Sequence, residues 1–297
     1  MKRSSKTILL LGGLVISLMA AGLWLSDRRE NIPTLRGETL DYWLKTGRLN
    51  SSQEYQAAIA EMDDECVQYL IQKLEWSPPT IRIALNKFLA RIFHRSIFSE
   101  EIPDDLRSAA ADALGRIGIR AQVAIQPLRE AVARGNISDQ HSLFASSAAV
   151  AALIRLGADN LDGCVDKIVD AQNTNWKIHA YATLFLSTNA SSAVPRLVKA
   201  FEASHDENFR GRITVPLRFI RSNPELSVPV LAALTKHSDR IVRFDAVVGL
   251  GHFEGAAKPA WKEMTTLLND QTDSVRHMTT NSMRIIDPQE AKHYGIE

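Results

Sequence analysis

The stretch DRIVRFDAVVGLGHFEGAAKPAWKEMTTLL, residues 239–268, carries two helices in thirty residues. Its apolar residues Val242, Ala246, Leu250 and Phe253 recur at three- and four-residue intervals, the spacing of one helix face, whereas a half-buried strand would alternate. Pro259 then heralds a second helix, because proline is tolerated in a first turn, where its missing N–H would have no partner anyway. Trp261, two residues on, fills a buried slot at the start of that second helix.

Working outward, the same chemistry returns at a fixed step of 33 residues. Leu184, Leu217, Leu250 and Met283 form a large apolar column, and Ala180, Ile213, Ala246 and Thr279 a small one. Lys177, Arg210, Arg243 and Arg276 form a basic column. Prolines recur at Pro127, Pro195, Pro229 and Pro259, with Leu197, Leu231 and Trp261 two residues after the last three. A period between about 20 and 50 residues is the mark of an array of stacked supersecondary units.

Written as (D)xxVRxxAxxxLGxxxxxAxPxLxxLL, the paired helices of residues 239–268, and of LRSAAADALGRIGIRAQVAIQPLREAV at 106–132, resemble HEAT repeats, an armadillo-like family. The resemblance spans residues 54–286 and implies an all-α fold, a right-handed α-solenoid of HEAT-like helix pairs that serves as a binding surface. The middle units depart from the pattern, with Phe144-Ala145 in place of Val-Arg and Ser187-Thr188 in place of Leu-Gly. The RGETLDYWL stretch places Leu40, Trp43 and Leu44 on one side of a short helix that would cap the array, similar to a segment of exported bacterial HEAT-repeat proteins. A helix pair is expected over residues 54–75 and a longer helix over residues 80–94, with a loop at Pro103.

The N-terminus reads differently. Residues 8–25, ILLLGGLVISLMAAGLWL, contain no charged side chain and follow Lys2, Arg3 and Lys6. A helix of that length is about 27 Å long, near the hydrocarbon thickness of a bilayer. Two readings stand: a retained signal-anchor crossing the membrane, favoured by Leu23, Trp24 and Leu25, and a cleaved signal peptide with small residues Ala20, Ala21 and Gly22. Arg28, Arg29 and Arg36 partly balance Lys2, Arg3 and Lys6, and a cytoplasmic N-terminus with an exported body is the favoured orientation. The expected organisation is an anchor over 1–26, a linker and capping helix over 27–53, the array over 54–286 and a tail over 287–297.

With 35 basic and 34 acidic residues, the chain has no overall field for a polyanion, so no nucleic acid is expected as partner. Cys66 and Cys164 are too far apart for a zinc pair, and both are expected as free buried thiols. The eight histidines form no HExxH pattern and no His-Glu dipeptide of the kind di-iron HEAT-like hydroxylases use, and His205-Asp206 reads as a loop pair. No nucleophile elbow or phosphate loop occurs; Gly118, Gly157 and Gly251 read as the ends of first helices. No catalytic, cofactor-binding or metal-binding residue is assigned, and no small-molecule substrate is expected.

The basic column has two readings, a grip on an acidic partner or a ladder that stacks repeats, with Asp206, Asp239 and Asp273 as caps or ion-pair partners. A helix over residues 209–221 carries Arg210, Arg212, Arg218 and Arg221 without an acidic residue. Trp176 is either a binding aromatic or a staple at a helix start. The candidate partner-binding residues are therefore Trp176, Arg210, Arg212, Arg218 and Arg221, on a non-enzymatic, membrane-tethered scaffold for a protein partner. The alternatives are a HEAT-like enzyme or accessory subunit, such as a bilin lyase or DNA glycosylase, and a polyanion-binding module.

Overall fold

The computed structural model describes residues 31–47, 52–75 and 103–296. The apolar run at 8–25 and the helix expected over 80–94 lie outside the described residues. Among the described residues no helix is long and apolar enough to cross a membrane. These residues are mainly helical and fall into two compact units, the first ending at Tyr69 and the second formed by Leu70–Glu75 and the residues from Asp104 onward.

The first unit opens with a hairpin, β1 (Thr34–Leu35) against β2 (Glu38–Thr39), turned by Arg36 and Gly37, both at positive φ. It leads into α1 (Leu40–Gly47), followed by α2 (Gln53–Glu61) and α3 (Asp64–Glu75), the helix pair expected over 54–75, with the Leu70–Glu75 end of α3 counted in the second unit. Leu40 and Leu44 are fully buried, and the Trp43 indole N–H donates to the Leu35 carbonyl at 2.9 Å, so the hairpin and α1 hold each other. Arg36 forms a two-pronged ion pair with Glu61, and Tyr69 donates to Asp41 at 2.7 Å. Cys66 is a free, buried thiol. The hairpin lies where only linker was expected.

The second unit is a succession of helix pairs. The first helices are α4 (Pro103–Ile117), α6 (Gln140–Arg155), α8 (Trp176–Leu186), the split pair α10 (Glu207–Arg212) and α11 (Thr214–Ile220), α13 (Arg240–His252) and α15 (Asp273–Ile286). Their second helices are α5 (Ile125–Ala133), α7 (Leu161–Val169), α9 (Val194–Ala203), α12 (Pro224–Leu234), α14 (Trp261–Leu267) and α16 (Pro288–His293). From α6 onward each first helix packs on the next, and α7, α9 and α12 pack in sequence beside them. One apolar core runs from Leu143 to Ile296. Pro103 opens α4 instead of lying in a loop, as suits a residue without an N–H at N1.

Three pairs are joined by seven-residue 3-10 turns, Gly118–Ala124, Ser187–Ala193 and Glu254–Ala260. In each the fourth and seventh residues are buried alanines: Ala121 and Ala124, Ala190 and Ala193, Ala257 and Ala260. Each turn begins at positive φ, at Gly118, Ser187 and Glu254. Gly118 and Gly157 thus end first helices as expected, but Gly251 does not. It lies inside α13, where an added Cβ would meet Ser282 Oγ at 2.6 Å, and Gly115 lies against Ala152 in the same way, at 2.7 Å from its Cα. The glycine of the Leu-Gly pattern lets two first helices touch; the turn comes later.

The small column is fully buried, with Ala180, Ile213, Ala246 and Thr279 each at 0% exposure. The large column holds for Leu217, Leu250 and Met283 but fails at Leu184, which is 36% exposed. The caps explain the failure. Arg210, Arg243 and Arg276 each stand four residues after the caps Asp206, Asp239 and Thr272, but α8 is capped at Asn175, which puts His179, not Lys177, in the basic slot and Leu186 in the apolar one. The second-helix prolines also shift. Pro195 is in the first turn of α9, whereas Pro229 is inside α12, which starts at Pro224, and Pro259 belongs to the 3-10 turn before α14.

Two substitutions test this packing in urea unfolding. Gly115→Ala drives a Cβ into backbone of α6 and is expected to cost about 1–3 kcal/mol. Ser187→Gly removes a side chain from a conformation only glycine favours, with φ 50° and ψ −132°. Relief of about 1–3 kcal/mol of strain, less the entropy glycine adds to the unfolded chain, should raise stability by about 1 kcal/mol.

Candidate functional site

The three arginines of the basic column differ: Arg243 ties two repeats, Arg276 braces its own turn, and Arg210 does neither. Arg243 is 6% exposed and spends its whole guanidinium on neighbours. Its Nε donates to Asp270 Oδ2 at 2.7 Å and one Nη to Oδ1 at 3.0 Å; the other Nη donates to the carbonyls of His237 and Ser238 at 2.9 and 2.8 Å. Asp270 also accepts from the Thr272 N–H at 2.8 Å, and the Arg243 hydrogen bond holds its carboxyl below the usual range. Arg276 repeats the pattern, donating to the Asp270 carbonyl and pairing with Asp273. Asp206 and Asp239 cap their helices instead of pairing with the arginine beyond. Arg243 thus ties its repeat to the next, whereas Arg276 bonds only within its own repeat, bracing the turn that precedes its helix.

Arg210 occupies the equivalent slot and makes none of these bonds. Its Cζ lies 4.1 Å from the Phe201 ring centroid, and its Nε is buried with no hydrogen-bond partner. It lines a cavity of about 320 Å³ with Phe201, Glu207, Leu234, Lys236 and His237.

The other candidates fall into two groups. The half-buried Trp176 ring has Arg212 Cζ at 5.2 Å and Lys177 Nζ at 5.8 Å, and Arg212 also donates to the Asp170 carbonyl at 3.3 Å. Trp176 is the first residue of α8 and packs partly on the core, two positions inside the place a staple takes. Arg218 instead pairs with Asp245 across α11 and α13, and lies 5.0 Å from the Phe219 ring. Arg221, at φ 51°, ends α11 and donates to His252 Nε2 at 3.4 Å, while His252 Nδ1 donates to the Arg218 carbonyl at 3.1 Å. Burial, then the nearby arginine charges, hold the His252 imidazole below its ordinary value, and burial pushes the Asp245 carboxyl up despite Arg218.

The four arginines therefore share no helix face. The helix expected over 209–221 begins at the acidic Glu207 and breaks at Ile213. Pro216 is the physical cause: it has no N–H for the Arg212 carbonyl, and its ring crowds that carbonyl. The residues that answer the arginines, Asp245, Asp270 and His252, were missed because each lies about one repeat away in sequence. A similar tie, Arg155 to Asp112 at 2.6 Å, joins α6 to α4, and Arg155 also reaches the Phe185 carbonyl in α8.

A second cavity of about 290 Å³ is lined by Cys164, His179, Lys167 and Asp159. Burial pushes the Cys164 thiol up to about 12 and lowers the His179 imidazole, so near neutral pH the pair is thiol and neutral ring, the opposite of an activated cysteine. Among the described residues no three His, Cys, Asp or Glu side chains gather where they could hold a metal ion. No protein-family model matches the chain, and no curated protein is similar to it.

Asp270→Ala leaves the Arg243 charge buried without its partner and is expected to cost about 3–5 kcal/mol at neutral pH. The pH dependence has a definite sign. Asp270's folded pKa is depressed, so its contribution is complete above the ordinary carboxylate range and is lost as pH falls through the lowered folded value. Urea midpoints for the two proteins should therefore converge on acidification, and a gap that stays constant would refute the pairing.

Proposed function

We propose that the chain is a HEAT-like, right-handed α-solenoid that works without catalysis as an extracytoplasmic scaffold, tethered by residues 8–25 and binding an acidic protein partner. The reading rests on its helix pairs, each stacked on the last, which make an extended preformed surface that binds without paying to order itself. A tether raises the concentration of such a surface near membrane-bound partners.

The observation that carries the partner reading is the Trp176 ring flanked by Lys177 and Arg212. Tryptophan and arginine dominate the energetics of protein interfaces because each combines a large apolar area with directed donors. Arg212 uses one Nη on the Asp170 carbonyl, and no carboxylate pairs with it among the described residues. Its charge is thus available to an acidic group, as the Asp245-bound Arg218 is not.

Proximity labelling from a C-terminal fusion to the full chain tests this reading. Arg212→Glu and Trp176→Ala should each deplete the labelled partner at least tenfold, since an interface anchor of this type is worth about 2 kcal/mol or more. A set of neighbours identical in wild type and both variants sinks the proposal. Alkaline extraction of membranes should leave the full chain in the pellet and release a chain lacking residues 8–25; release of both would remove the tether.

A further inference from the structure

The clearest anomaly in the second unit is a buried cation whose counterpart in the next repeat is fully satisfied. One repeat on, the Asp270 carboxylate receives Arg243 through Nε and Nη2 and also accepts the Thr272 N–H. In the Arg210 repeat the residue in the Asp270 position is His237, and its Nδ1 likewise accepts from the backbone two residues on, the Asp239 N–H, at 3.0 Å. The other ring nitrogen donates to the Glu207 carbonyl at 2.8 Å. Both nitrogens are thus committed to backbone, and nothing on the ring remains to accept from Arg210.

The nearby carboxylates are also engaged. Glu207 accepts from the Ser238 N–H at 2.7 Å, and Glu263 lies 3.9 Å from Lys236. A buried guanidinium Nε without an acceptor is costly, because its desolvation is not offset by a hydrogen bond. Here it borders a cavity of about 320 Å³ that Lys236 also lines. The guanidinium carbon lies over the Phe201 ring, a contact that uses none of its N–H donors.

We infer that this cavity is a carboxylate pocket: an aspartate or glutamate side chain of the protein partner enters between Phe201 and Leu234 and takes, on Arg210, the place Asp270 takes on Arg243. The exposed Lys236 at the rim adds a second cation to the same group. A neighbouring cavity shares Ala233 and Lys236 and is otherwise lined by apolar Val228, Pro229 and Pro259, with Glu263, so it suits an apolar residue beside the acid. The inference deepens the scaffold reading by naming what the surface recognises, and it uses residues other than Trp176 and Arg212.

Saturation-transfer NMR on the full chain in detergent micelles tests it, with N-acetyl-aspartate amide as probe and N-acetyl-asparagine amide as its uncharged twin. The aspartate compound should bind at least tenfold more tightly than the asparagine one. Arg210→Met, which keeps an apolar stem against Phe201, should abolish that preference at an unchanged melting temperature. His237→Asp supplies the missing carboxylate from within and should also abolish it. Equal binding of the two compounds, or a preference surviving Arg210→Met, overturns the pocket; acetate binding as tightly as the aspartate compound marks a small-anion site and overturns the assignment to a protein side chain. If the pocket fails while labelling still depends on Arg212 and Trp176, the scaffold reading stands alone; if the pocket binds and labelling is indifferent, only the scaffold reading falls.

Discussion

A helix pair of this length cannot bury its own apolar faces, and the second unit follows from that constraint. Ala246 and Leu250 on α13 reach zero exposure because α11 lies on one side and α15 on the other. Burial of a leucine contributes about 1.5–3 kcal/mol, so removing a neighbour would withdraw that from every residue it covers. Stability in such an array is accordingly a sum over neighbouring pairs. Small residues set how near the pairs come. Gly115 against Ala152, and Gly251 against Ser282, bring first helices to contacts that a Cβ would already obstruct.

Polar ties add direction to this apolar contact. Arg155 with Asp112, Arg218 with Asp245 and Arg243 with Asp270 each join one repeat to the next. A buried ion pair gains little net stability over an apolar replacement, since desolvating the charges offsets their attraction. Its effect is on geometry. Arg243 satisfies two carbonyls and a carboxylate only when the turn at His237–Ser238 and the turn at Asp270 lie at one separation, which fixes the stagger between successive pairs.

Much of this was legible in the sequence for a physical reason: apolar faces repeat with the helix, and helices repeat with the array. The columns through Ile213, Ala246 and Thr279 needed only those two periods. The slip at α8 was hidden because Ala180 and Ala182 are both buried, so apolar pattern alone accepts either register; only the cap at Asn175 distinguishes them. The turn at Ser187 and Glu254 was obscured because neither is glycine, although buried alanines three and six residues further on recur in all three 3-10 turns. The arginine partners were beyond reach of local pattern. Asp270 is 27 residues from Arg243, a distance at which only the stacked structure decides what meets.

A repeat array also supplies its own internal control, and that bears on where function resides. The slot holding Arg210, Arg243 and Arg276 is built three times from the same helix position, each four residues after the cap. When two copies turn the guanidinium onto the carbonyl six residues back and onto a carboxylate, the slot's structural work is defined by them. The third copy then cannot be explained by that work. His237 makes the backbone bonds of Asp270 and omits the one bond that would neutralise the arginine. Stacking therefore survives in this repeat through the imidazole and Gly211, whose α-carbon lies close enough that a Cβ would meet His237 Nε2 at 3.0 Å. Arg210 is released from that work while remaining half-buried, its Nε without an acceptor beside a cavity, and that difference from Arg243 carries the carboxylate proposal.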